Sequence, residues 1–286
     1  MYLVRRLVTI GGIAASLVLS GAAMADVTLP RAISDHMVLQ RNKPVRIWGW
    51  ADAGETVTVD VAKRKASTTA GADGTWEVFL PSLPTGGPYV MNVTGKNKLQ
   101  LTDVLVGEVW VCSGQSNMEW PVRITFEPEK TANESTDDGL RMFTVTKAIS
   151  DTELKDVTGS WQAAAPGTTP NFSAVGYHFA KTLRKTLGCP IGMIHTSWGG
   201  TRIEAWTSPA TNIAAGMSKD EFKPGDNRNA NKASVLYNAM LVPVAKYTVT
   251  GAIWYQGESN AGRAWQAAIH AFTRGAASNS VGSAWA

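Results

Sequence analysis

Short segments of alternating apolar and polar residues follow one another through residues 26–102. Each alternation places the apolar residues on one face of an extended chain, which is typical of a strand with one buried side. Four such strands are predicted, at residues 45–50, 56–61, 75–80 and 89–93. Turn-forming Gly, Pro and Asp residues at 72–74 and 84–88 separate them. The spacing of roughly ten residues predicts a small β-sandwich domain.

Continuous apolar strand runs replace this alternation over residues 103–266. Strands are predicted at residues 104–112, 191–195 and 249–255. A helix is predicted at 174–187, where apolar residues recur at near-helical spacing. This succession predicts an α/β domain with a parallel sheet. We expect residues 119–170, which are rich in Thr, Pro and acidic residues, to form an irregular loop region near the carboxyl edge of that sheet.

The first 25 residues have the three regions of a secretory signal peptide. Two arginines, Arg5 and Arg6, precede an apolar stretch at 7–19, and small residues end the segment at Ala25. A membrane anchor is the alternative, but the stretch is shorter than the ~20 residues that span a bilayer. We therefore expect cleavage after Ala25 and secretion, into the periplasm of a bacterium.

Composition excludes some partners and says little about others. The formal charge is +4 with 17% charged residues, and no basic run suggests nucleic acid. No later segment is apolar enough to span a membrane, so we expect no membrane contact after signal cleavage.

Cys112 and Cys189 fall at opposite ends of predicted parallel strands, too far apart for a disulfide. We predict two buried free thiols without metal-ligand neighbours, and the sequence carries no signal of oligomeric state.

Polar or small residues follow each of the three predicted parallel strands. They read Gly-Gln-Ser-Asn-Met at 114–118, Thr-Ser-Trp-Gly-Gly-Thr at 196–201 and Gln-Gly-Glu-Ser-Asn at 256–260. Ligands bind at the carboxyl ends of strands in such sheets, so we expect the three motifs to form one site.

These motifs contain what acyl transfer needs, a nucleophile and donors aimed at the developing oxyanion. Ser116 supplies the nucleophile and one backbone N–H. Further donors are the backbone of Gly199 or Gly200, between which the sequence does not decide, and the side-chain amide of Asn260. Helix capping by Ser116 and turn stabilisation by Asn260 are the structural alternatives. The expected supporting residues are Gln115, Gln256, Gly257 and Glu258.

The three motifs resemble those of the SGNH hydrolase superfamily and, within it, the sialate O-acetylesterase family. The closer likeness rests on residues 107–110, 197–201 and 254–260, and on an N-terminal β-sandwich that opens with a segment like 34–40. The resemblance implies an SGNH or flavodoxin-like sheet. It also implies removal of O-acetyl groups from an acetylated sugar, sialic acid or a related one, by a serine acyl-enzyme mechanism without metal or cofactor.

In the family a histidine takes the serine proton, and an aspartate three residues earlier orients it. No aspartate follows Asp226, and none of His36, His178, His195 or His270 is assigned as the base. Residues 267–286 no longer look like the family, which favours a frameshifted or prematurely terminated gene. We therefore expect a C-terminally truncated α/β domain with severely impaired activity and poor solubility.

Substrate contacts are predicted from aromatic and cationic residues near the motifs. Aromatic faces suit sugar rings, and Trp120 and Trp198 are the candidates to line the pocket. Arg202 is expected to pair with Glu258 or to meet an anionic substrate group. A non-catalytic carbohydrate-binding protein and an acetylxylan-type esterase of the same superfamily remain the alternative functions.

Overall fold

The computed structural model describes residues 26–225 and 229–261. The expected signal peptide, His270 and the expected divergent tail at 267–286 lie outside the described residues. Within them, no helix has both the length and the apolar character needed to cross a membrane.

A mostly antiparallel β module forms the N-terminal part. Its strands are β1 (Val38–Gln40), β2 (Val45–Trp50), β3 (Thr56–Val61), β4 (Arg64–Thr69), β5 (Thr75–Leu80) and β6 (Gly86–Thr94). β2 pairs with β5, and β3 lies between β4 and β6. All four strands predicted here are confirmed. The pattern missed β4, because this edge strand has no buried residue to mark its inner face.

One long strand, β7 (Lys98–Gly114), belongs to both parts of the chain. Its first half pairs antiparallel with β6, and its second half pairs parallel with the strands of the α/β part. Asp103 interrupts it with a left-handed backbone (φ 54°). The predicted domain boundary between residues 102 and 103 therefore lies inside a strand.

The α/β part is built on a mostly parallel sheet, as predicted. Its other strands are β8 (Asp137–Thr144), β9 (Trp161–Ala164), β10 (Ile191–Ser197) and β11 (Gly251–Tyr255). β7 lies between β11 and β10, and β8 follows β10 in parallel. β9 pairs antiparallel with β8. The helices are α1 (Ser116–Glu119), α2 (Pro128–Asn133), α3 (Ala174–Leu187) and α4 (Pro209–Ala214).

The prediction of an irregular region at 119–170 was wrong in part, because this region contains α2, β8 and β9. β8 is an inner strand of the sheet, and its residues 140–143 are buried. This buried run is only four residues long, contains the charged residue Arg141 and follows acidic residues, which hid it in the sequence.

Helix α3 has the predicted bounds and packs over the thiol of Cys112. Ser173 caps its start by accepting a hydrogen bond from the Gly176 N–H (3.0 Å), and Gly188 ends it with a left-handed backbone. A Cβ on Gly176 would lie 2.9 Å from Sγ of Cys112, so the helix passes directly over this thiol. Cys112 and Cys189 are both buried and free, as predicted.

Candidate active site

Ser116 stands at the carboxyl end of the sheet, on the turn between β7 and α1. Gly114, the last residue of β7, has φ 140°, and a Cβ there would lie 2.0 Å from the carbonyl oxygen of Tyr255. Only glycine fits this close approach of β7 to β11. The turn leaves Ser116 exposed as the first residue of α1.

Hydrogen bonds join the serine motif to the Gln-Gly-Glu-Ser-Asn motif after β11. The backbone N–H of Gln115 donates to the Tyr255 carbonyl (2.9 Å). Its side-chain Oε1 accepts from the N–H groups of Gly257 (3.2 Å) and Ser259 (3.3 Å). Asn117 donates to the carboxylate of Glu258. In the structure Gln115, Gly257 and Glu258 thus hold the two loops together.

The glycine motif after β10 lies against the same serine. The Trp198 N–H donates to the Gly114 carbonyl (3.1 Å). A Cβ on Gly199 would lie 3.4 Å from Cβ of Ser116. The structure therefore brings all three predicted motifs to one end of the sheet.

The Gly199 N–H is already bound, which the sequence did not foresee. It donates to Oε2 of Glu119 (2.5 Å), whose other oxygen lies 2.5 Å from Nζ of Lys147. Glu119 follows Ser116 by three residues on the single turn of α1, so both side chains lie on one side of that turn. Among the described residues, the Gly200 N–H makes no hydrogen bond to a backbone carbonyl. The choice between the two glycines as oxyanion donors stays a prediction, and in this arrangement only the Gly199 N–H is bound to a carboxylate.

Asn260 is buried in a hydrogen-bonded network beside the site. Its Nδ2 donates to Oε2 of Glu204 (2.9 Å), and its Oδ1 accepts from the Ile203 N–H (3.0 Å) and from Nε2 of Gln256 (2.6 Å). Gln256 also donates to the Thr201 carbonyl (3.3 Å). An amide carries two N–H donors, so one donor of Asn260 remains beyond the Glu204 contact.

His195 lines the same cavity as Ser116, but its hydrogen-bond partner is another serine. Its Nε2 lies 2.6 Å from Oγ of Ser197, and its Nδ1 is buried with no hydrogen-bond partner. The pKa of His195 is lowered to about 4, chiefly by burial; the nearby charge of Glu119 opposes this shift and that of Lys147 adds to it. The imidazole is therefore neutral at pH 7 and a weak base.

A cavity of about 460 Å³ opens above Ser116. Trp120 lines it and is 49% exposed, which suits a sugar-stacking face. Arg123 and Lys147 bring positive charge to the wall. Neither Trp198 nor Arg202 is among the residues of this wall. Trp198 is half-buried, with Nζ of Lys147 5.3 Å from its ring centre.

The expected pairing of Arg202 with Glu258 is not formed. Glu258 accepts from Asn117 instead, and the backbone N–H of Arg202 donates to Asn231 (2.8 Å). Sequence reasoning also missed Glu119, Arg123 and Lys147 as wall residues. The first two follow the serine motif within seven residues, and this proximity was the available signal. Lys147 follows β8, the strand that was not predicted.

Comparison with known proteins identifies the family. The family model for carbohydrate esterases of the sialic acid-specific acetylesterase type matches residues 106–274. The chain belongs to this family. The resemblance seen in the sequence motifs is confirmed, and the family match reaches residue 274, inside the segment that we expected to diverge.

The curated relatives that this chain resembles are about twice as long as the matched part of the chain. The chain is 38% identical over 251 residues to the sialate O-acetylesterase of Homo sapiens, covering 80% of this chain and 48% of that protein. It is 34% identical to the Rattus norvegicus protein, covering 80% and 51%. The chain thus spans about half the length of these curated relatives.

A solved structure of a carbohydrate acetylesterase has a similar fold. A carbohydrate acetylesterase from Xanthomonas citri superimposes with a TM-score of 0.80 at 38% identity, covering 87% of this chain and 57% of that one. The α/β architecture assigned above is therefore the architecture of a carbohydrate esterase.

Proposed function

We propose that the chain is a carbohydrate O-acetylesterase that acts on sialic acid or a related acetylated sugar, with Ser116 as the nucleophile. The observation that carries this proposal is the position of Ser116. Its hydroxyl is exposed at the end of the central strand β7, in a cavity that Trp120 also lines. Membership of the acetylesterase family supports the same chemistry.

In this mechanism the Ser116 oxygen attacks the acetyl carbonyl and forms a tetrahedral oxyanion. The ester bond to the sugar then breaks, the sugar oxygen leaves with a proton, and water later releases acetate from the acetyl-serine. The N–H groups of Ser116 and Gly200 and the second amide N–H of Asn260 are the proposed oxyanion donors. Gly199 joins them only when Glu119 moves away from its N–H.

The proton of Ser116 needs a base, and the described residues provide no histidine bonded to it. His195, the histidine that lines the cavity, contacts Ser197 and has a pKa of about 4. His36 pairs with Asp103 at a different part of the fold, and His178 lies on α3. A triad serine without its base loses most of its rate acceleration. We therefore propose that Ser116 turns over slowly when only the described residues serve it.

We also propose that the mature protein acts after export. The support is the three-region segment at residues 1–25. Acetylated sugars outside the cytoplasm are then its substrates. Determination of the N-terminal residue of the protein recovered from a bacterial periplasmic fraction tests this, and Asp26 is the expected result.

The esterase proposal is tested by hydrolysis of a chromogenic acetate ester. The purified chain is compared with Ser116→Ala and with Ser197→Ala, a matched control in the same cavity. We expect slow hydrolysis that Ser116→Ala reduces to the buffer rate and that Ser197→Ala largely retains. Loss of activity in Ser197→Ala alone would make the Ser197–His195 pair the nucleophilic one. Sugar binding without any hydrolysis would favour the non-catalytic carbohydrate-binding function.

A further inference from the structure

Arg123 occupies a fixed position in the wall of the Ser116 cavity. It lies on the 3₁₀ turn Val122–Ile124, and its side chain is exposed. The start of α3 holds this segment in place, because the Val122 N–H donates to the Phe172 carbonyl (3.0 Å) and the Ala174 N–H donates to the Trp120 carbonyl (2.8 Å). The indole N–H of Trp120 in turn donates to the Ile124 carbonyl (3.2 Å). Arg123 and the Trp120 ring are thus held together on one short scaffold.

The positive charge of Arg123 is not neutralised by the protein residues around it. Its Nη1 donates to Oδ1 of Asn171 (3.0 Å), a neutral partner. Within residues 26–225 and 229–261, no carboxylate lies within ion-pair distance of this guanidinium. Since a guanidinium has five N–H donors, most of them remain for a ligand.

The other charges of the cavity wall balance one another. Lys147 pairs with Glu119 at 2.5 Å, and His195 is neutral at pH 7. Arg123 therefore gives the cavity a net charge of about +1 at its exposed side, by simple addition of formal charges. An anionic ligand is favoured over a neutral one of the same shape.

We propose that Arg123 is a specificity-determining residue, which binds the carboxylate of an acidic sugar whose ring packs on Trp120 above Ser116. This rests on the proposed function and adds the residue that selects an acidic substrate. A guanidinium matches a carboxylate with two parallel hydrogen bonds, which a lysine cannot reproduce. The assignment moves anion recognition from Arg202, which the sequence suggested, to a residue that lines the cavity.

The test measures binding without ester chemistry. Free sialic acid and its carboxamide, which has no negative charge and no ester, are each titrated by calorimetry into the purified chain, Arg123→Gln and Arg202→Gln. Arg202→Gln is the matched control because it removes the same charge outside the cavity wall. We expect Arg123→Gln to weaken binding of the acid by about 10- to 100-fold, the range for a charge-assisted contact. Binding of the carboxamide should stay unchanged, as should both ligands with Arg202→Gln.

Several outcomes would overturn the proposal. Equal weakening of acid and carboxamide by Arg123→Gln would mean that the residue supports the turn and not the anion. Unchanged acid binding in Arg123→Gln, or a loss with Arg202→Gln alone, would place the anion elsewhere, and absence of binding to the parent chain would also reject it. Ester hydrolysis that depends on Ser116 is a separate readout, so the acidic-sugar inference and the esterase proposal fail independently.

Discussion

Replacement of Gly114 by alanine is expected to destabilise the protein and to displace Ser116. The new Cβ would lie 2.0 Å from the Tyr255 carbonyl oxygen and 2.6 Å from its carbon, which are backbone atoms of the paired strand β11. Relief requires β11 to move and the Gln115 N–H to lose its bond to that carbonyl. The φ of 140° is also unfavourable for any residue with a Cβ. Strain of about 1–3 kcal/mol plus about 1–3 kcal/mol for one buried donor left unsatisfied gives about 2–6 kcal/mol.

Urea denaturation followed by tryptophan fluorescence measures this cost. Gly188→Ala is the matched control, since Gly188 also has a left-handed backbone (φ 62°) but a Cβ there meets no atom within 4 Å. This control isolates the backbone strain, for which about 1 kcal/mol is expected. Two variants with the same free energy of unfolding would refute the argument from close contact. Gly114→Ala should also lose the Ser116-dependent hydrolysis that Gly188→Ala retains.

Two further predictions concern buried groups. His195 has a folded pKa of about 4 against an ordinary 6.5, so the unfolded chain binds the extra proton. The free energy of unfolding should therefore fall by about 3 kcal/mol as pH drops from 7 to 4, and His195→Gln should flatten that fall; an unchanged pH profile would contradict the assignment. Burial raises the pKa of the Cys112 thiol. Cys112 and Cys189 should react with a thiol reagent only after urea unfolding, and rapid labelling of the native protein would contradict their burial.

Strands were predictable from the sequence wherever apolar residues alternate with polar ones or follow one another without interruption. β2, β3 and β5 have their predicted bounds because one face of each is apolar. β4 has only polar and small residues on its more covered side, so its hydrogen bonds to β3 arise from tertiary context that the pattern does not encode. β8 was missed for a different reason: it does have buried residues, but they form a run of only four.

The location of the candidate site was predictable, while its internal hydrogen bonds were not. Parallel strands end at one sheet edge, so three motifs that follow such strands must meet there. The partner of each donor depends on side chains that approach from other segments. Glu119 accepts from the Gly199 N–H, 80 residues away in the chain, and Glu204 accepts from Asn260, 56 residues away. Spacing within a motif carries no information about such partners.

Because β7 runs without a break through both parts of the chain, it limits where this protein can be joined to segments of its relatives. β7 is hydrogen-bonded to β6 of the N-terminal module at one end and to β10 of the α/β sheet at the other, so a cut anywhere within it breaks strand pairing. Exchange of the N-terminal module between relatives would place the junction inside β7. The new strand would then have to fit both β6 at its first half and β10 at its second half. We expect chimaeras joined inside residues 98–114 to lose solubility. The N-terminal module and the α/β part should therefore be exchanged between relatives only together.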